Sequence, residues 1–156
     1  MNYRFAVMWM KAFREGPEAV CKMYDEDFEF EDRMLDQRSI TDRDDLHRVF
    51  GPYGNTDPEN GIGIHNFTVK DYIGDEKCGL IRWVWSADHA AQFFGFPTDG
   101  KSVGTEGTTF QVYRDGKIAR CMTYWDAPNI LAQLGVDLEQ TVVPLPPLRF
   151  DAVGVS

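Results

Sequence analysis

The sequence is short of everything that nucleic-acid binding, membrane insertion or a disulfide framework requires. It has no run of lysine and arginine, and 25 acidic against 16 basic residues leave a formal charge of −9. A phosphate-binding face is basic, so this balance argues against nucleic acid as a partner and against docking on an anionic membrane. No apolar run approaches the roughly 20 residues of a membrane span. The opening "MNYRFAVMWMKAFREG" lacks a cleavage-site pattern and continues as an amphipathic helix, so it does not read as a signal peptide. Three cysteines (Cys21, Cys78 and Cys121) are odd in number and far apart, which suits a reducing cytoplasm. Three scattered histidines give no metal-ligand spacing, and no glycine-rich phosphate loop follows a strand. The expectation is a cytoplasmic protein with no metal and no cofactor.

What is present is apolar and aromatic. Hydrophobic residues make up 43% and aromatics 13% of 156 residues, enough for one packed domain and too short a chain for two. Residues 3–14 carry Phe5, Met8, Trp9, Ala12 and Phe13 at helical spacing, and "EGP" ends that helix and starts a second at Pro17. "DFEFED" alternates Phe28 and Phe30 with acids and reads as a strand ending near Asp32; "TDRDDLHRVF" is a third helix capped by Thr41 or Asp42. The segment 51–63 is dense in Gly, Pro, Asn and Asp and reads as a long loop and a candidate lid. Strands follow at 65–73, 79–88, 103–114 and 117–125, the last two joined by the "RDGK" turn. "DAPNILAQLG" is a short closing helix, and "VVPLPPLRF" an apolar, proline-rich tail. Helices first and antiparallel strands after give α+β, a curved sheet wrapped on helices. The domain is expected over 1–140 and the tail over 141–156.

The order of two helices, "MYDEDFEFED", a helix, a long loop and a sheet resembles the nuclear transport factor 2-like cone fold. That group includes ketosteroid isomerases and SnoaL-like polyketide cyclases. "RWVWSADHAAQFFGFPTDGKSV" resembles the SnoaL-like strand, histidine and Pro-Thr-Gly-Lys loop; "YRDGKI" with "WDAPNILAQLG" resembles its hairpin, acid and terminal helix. The resemblance covers roughly residues 3–135. It implies a curved antiparallel sheet and a dimer. It places His89 at the family's histidine and Asp32 at the proton-shuttling aspartate of the isomerases, with Met8 where those carry an oxyanion tyrosine.

Three residues are candidates for catalysis. Asp126, at the end of the last strand, shares a parity with Ile118 and Met122, which points it toward the core; the competing reading is a helix N-cap. His89 ends the "RWVWSAD" strand, beside the candidate loop, and imidazole is the side chain suited to proton transfer near neutral pH. Asp32 continues the buried alternation of Phe28 and Phe30. Candidates for substrate binding are Trp83, Trp85, Phe94, Tyr124 and Tyr24, with Glu106 on the parity of Phe110 and Val112; Tyr53 is a lesser phenol candidate. By the same parity, Thr105, Thr109, Gln111 and Tyr113 form an open sheet face that a second copy would cover.

The leading expectation is a cofactor-independent acid/base enzyme on a hydrophobic aromatic or polyketide-like carbonyl compound. Aldol cyclisation, retro-aldol cleavage, dehydration and isomerisation all use such machinery. Epoxide hydrolysis is the alternative enzyme, with Asp126, Arg120 and a second acid supplying the residue types. A ligand-binding or assembly module without chemistry is the third reading. A homodimer or larger homo-oligomer is expected throughout.

Overall fold

A computed structural model describes residues 1–34, 36–54, 63–93 and 95–137, with Asp36 and Gln37 described by backbone alone. The candidate Phe94, most of the expected 51–63 loop and the tail from 141 onward lie outside the described residues.

Helix α1 (Tyr3–Ala12) starts where the Asn2 side chain accepts the Phe5 amide, and it buries Ala6, Trp9, Met10 and Ala12. Met8 sits on its wet side, 53% exposed. A 3-10 turn (Phe13–Glu15) and Gly16, at φ 105°, turn the chain into α2 (Pro17–Cys21). Only glycine takes that φ without strain. Helix α3 (Arg43–Phe50) is capped by Asp42, which accepts from the amides of Asp44 and Asp45. Arg43 then ties α3 back to the first strand: it donates to the carbonyls of Cys21 and Asp25 and lies over the Phe28 ring.

The strands are β1 (Tyr24–Asp32), β2 (Asp36–Ile40), β3 (Ile64–Gly74), β4 (Cys78–Asp88), β5 (Gln92–Phe93), β6 (Phe96–Pro97), β7 (Val103–Arg114) and β8 (Lys117–Trp125). Six of them form one sheet in the order β2-β1-β8-β7-β4-β3, and β5 pairs only with β6. The sheet is mixed, not wholly antiparallel as expected: β1 runs parallel to β8. The short β2 pairs beside β1 and was not foreseen, because "DQRSI" has too few apolar residues to show an alternation.

Of the shifts in register along the sheet, two are single inserted residues. Tyr113 pairs with Ile118 and Val112 with Arg120, so Ala119 is an insertion in β8; Lys70 is the counterpart in β3. A bulge of one residue exchanges the faces of everything beyond it. Along β8, Ile118 therefore points inward, and after the bulge Cys121, Thr123 and Trp125 follow it, while Tyr124 is 47% exposed.

The inner face reads as rows across neighbouring strands. Asp32, Thr123, Thr109 and Ile81 form one, and Trp125, Gly107, Trp83 and Val69 form the next. The outer face carries Ile73, Leu80, Phe110 and Met122 in a single row. Ile73 is 72% and Leu80 43% exposed. The face expected to be open (Thr105, Thr109, Gln111, Tyr113) is the buried one. Threonine hydroxyls made it look wet, yet each of these side chains has a polar partner inside.

Candidate functional site

The inner face and the helices enclose a cavity of about 580 Å³, its open mouth included. Phe30 and Asp32 reach it from β1, Trp83 and Trp85 from β4, and Trp125 from β8; Trp9 and Phe13 close it from the first helical segment.

Asp32 is the acid on this wall, 8% exposed. The Trp125 indole N–H donates to both of its oxygens, at 3.0 and 3.2 Å, and the Met34 amide donates to Oδ1 at 3.0 Å. Donors that converge on a carboxylate hold its orientation and favour its charged form. Tyr53, on a 3-10 turn (Gly51–Tyr53), brings a phenol to the same cavity wall. Burial, and then the Asp32 carboxylate, push its phenol far above the usual range, so it remains a neutral donor at any working pH.

The other polar groups are hydroxyls and one imidazole. Trp83 Nε1 donates to Thr109 Oγ1 at 2.9 Å, and Thr109 and Thr123 share a 2.9 Å hydrogen bond. His65 is fully buried behind the wall; its Nδ1 accepts the Trp85 indole N–H at 2.9 Å, so that nitrogen carries no proton. Its ring meets Tyr53 edge-on, centroids 5.0 Å apart, and thereby braces the phenol. No cluster of three His, Cys, Asp or Glu side chains among the described residues is placed to hold a metal ion.

Several expected residues are elsewhere. Asp126 does not point into the cavity: it is exposed, and its side chain accepts the Asn129 amide at 3.0 Å as the N-cap of α4 (Ala127–Gln133). The Ala119 bulge is the reason, because it reverses the parity on which the inward reading rested. The same reversal sends Tyr124 outward. His89 is exposed just past β4, in a left-handed turn at φ 59°. Glu106 is exposed on the outer face, since β7 turns Thr105 and Thr109 inward. Tyr24 is fully buried but does not line the cavity; it lies near Cys121, whose thiol burial pushes up to about 12. Arg120 is also outside, pairing with Glu29 at 3.3 Å and Glu31 at 3.6 Å. Burial works to raise the Glu31 carboxyl, but Ser39 and the Arg33 and Arg120 guanidiniums outweigh it and hold it below its ordinary value. Of the expected residues, the structure brings together Asp32, Trp83 and Trp85, with the lesser candidate Tyr53.

Sequence reasoning passed over His65, Trp125 and the threonines of the wall, Thr105, Thr109 and Thr123. Trp125 shares the inward parity with Thr123 once the bulge is known; a lone histidine in a strand gives no signal of its own.

The cap reading of Asp126 has a direct check. Asp126→Ala is expected to lower stability by about 1 kcal/mol, and Asp126→Asn by less, as read from thermal melts. A rate loss on Asp126→Asn with an unchanged melt would return the residue to the chemistry.

The family model that describes SnoaL-like polyketide cyclases matches residues 56–134, half of the chain. The chain belongs to that family. Among solved structures, it is similar to a hypothetical protein of ketosteroid isomerase-like fold from Catenulispora acidiphila, solved in complex with trimethylamine. The TM-score is 0.69 at 17% identity, over 89% of this chain and 98% of that one. IdmH of Streptomyces antibioticus, a candidate polyketide cyclase, aligns at TM-score 0.63 and 22% identity, over 85% of this chain and 97% of that one. An LEH-like epoxide hydrolase of M. tuberculosis aligns at 0.60 and 15% identity, over 91% and 95%. At these identities the likeness is one of fold: a curved sheet closed into a cone by helices. A comparison with curated proteins finds no match.

Proposed function

We propose that this is an acid/base enzyme acting on a hydrophobic carbonyl compound, with Asp32 as the base and Tyr53 as the donor to the developing enolate. The observation that carries the reading is Asp32 on the wall of an aromatic cavity, its carboxylate held by Trp125 and Met34. A base inside a largely dry site acts on a C–H beside a carbonyl. A neutral phenol on the same cavity wall stabilises the oxygen on which negative charge collects. Cyclisation, retro-aldol cleavage, dehydration and isomerisation all begin at such an enolate.

The base is Asp32 in this proposal, not Asp126, because only Asp32 lines the cavity. Neither Asp126 nor Arg120 does, which disfavours the two-acid, one-arginine arrangement of epoxide hydrolysis. The test uses 2-tetralone, a flat bicyclic ketone of suitable size, in deuterated buffer. Exchange of its C1 protons, followed by NMR, should run faster with the protein than without it. No acceleration by the native chain would sink the reading.

We also propose that the chain works as a homodimer in a reducing cytoplasm, with its cone ending near residue 140. Its three cysteines are free thiols. The exposed row of Ile73 and Leu80, with Tyr124 beside it, is an apolar strip that water does not favour. Arg82, which pairs with Asp71 at 3.3 Å, and Glu106, both exposed, bring charges of both signs to the same face, which leaves it free of a one-sign field that would repel a second copy. Light scattering should give twice 17.8 kDa for the native chain and 17.8 kDa for Leu80→Arg. A native mass of 17.8 kDa at all concentrations rules the dimer out.

A further inference from the structure

We infer that the ligand of this cavity carries a positively charged nitrogen, a protonated or quaternary amine, seated among the tryptophan rings with Asp32 as its counter-charge. The inference rests on the reading of this cavity as the substrate site and names the class of molecule it takes.

Three properties of the wall lead there. Ten of its sixteen residues are aromatic, and all four tryptophans of the chain are among them. Three of the four indole N–H groups are committed inside the protein: Trp83 to Thr109, Trp85 to His65 and Trp125 to Asp32. An indole whose N–H is engaged offers a ligand its electron-rich ring and no donor. Rings of that kind favour cations strongly when water is excluded.

The second property is charge. Asp32 is the one residue with a formal charge among the described lining residues, and that charge is negative. A carboxylate or phosphate on the ligand would meet this group at close range in a poorly screened space. A cation there gains from both the carboxylate and the rings. The third property is the whole chain's field: a net charge of −9 draws cations toward the molecule and turns anions away. The threonine hydroxyls at 105, 109 and 123 leave a narrow polar strip for the neutral part of the ligand.

The test compares choline with 3,3-dimethylbutan-1-ol, which has the same shape with carbon in place of nitrogen. Each is titrated into the full chain and followed by tryptophan fluorescence. Choline should bind more tightly by about tenfold or more, and Asp32→Asn should bring the two within about threefold. The comparison in the native chain stands without the variant. Equal affinities there, or tighter binding of the alcohol, overturn the inference while 2-tetralone exchange still upholds the acid/base reading. Silence from both ligands overturns it too. A full choline preference without any 2-tetralone exchange leaves the cation site standing and removes the enolate chemistry.

Discussion

Asp32→Asn is expected to slow proton exchange at the 2-tetralone C1 position by a factor on the order of 100 or more. Asparagine has the shape of aspartate but takes up no proton at neutral pH. Its Oδ1 can still accept from the Trp125 indole, whereas its amide nitrogen faces a site that now receives a donor at 3.2 Å. That mismatch should cost about 1–2 kcal/mol, leaving a folded chain with a lower melting temperature. Rate and melt together separate a catalytic carboxylate from a structural one. A variant that melts early and exchanges normally would make Asp32 a tether for β8 and nothing more.

The second large effect is expected at Gly107. It lies between Trp83 and Trp125 in the row across β4, β7 and β8. A Cβ built there would stand 2.4 Å from Cζ2 of Trp83 and 2.7 Å from the Tyr124 carbonyl. No side chain fits without moving an indole or a neighbouring strand. Gly107→Val should therefore destabilise the fold by about 1–3 kcal/mol, the usual range for overpacking. It should also turn the Trp83 ring, breaking its 2.9 Å bond to Thr109 and altering the cavity. Thermal melts and the tryptophan emission spectrum would show both. An unchanged melt would mean that the wall yields more easily than its packing implies.

Much of the fold was legible because its strands alternate regularly where they are long. The bounds of β7 and β8 agree with the sequence reading, and β4 differs only in beginning one residue earlier. Asp32 was legible for the same reason: Phe28 and Phe30 fix a parity that the pairing of β1 with β8 keeps through the acid. Asp126 was misjudged by one inserted residue, Ala119, which leaves no mark in composition or hydropathy. The faces of β7 were exchanged because threonine at 105 and 109 passes for a solvent residue. Inside, each hydroxyl has a partner on another chain segment, and such pairing is a property of three dimensions. His65 shows the same limit: its hydrogen bond to Trp85 links β3 to β4, and no local pattern announces it.

The parallel neighbours β1 and β8 have a consequence for how the chain is made. The indole that holds Asp32 lies 93 residues downstream of it. On a ribosome, β1 leaves the exit tunnel long before Trp125 is synthesised, and its inner neighbour in the sheet is the last strand to emerge among the described residues. Until then Phe28 and Phe30 have only the helices and β2 to cover them, and the side of β1 that will receive β8 is an open edge. Such an edge invites pairing with another nascent chain. The acidic residues along it, Asp25, Glu26, Asp27, Glu29 and Glu31, place like charges on every copy and so oppose that pairing. The charge pattern of β1 thus protects the unfinished chain during the interval in which its sheet is incomplete.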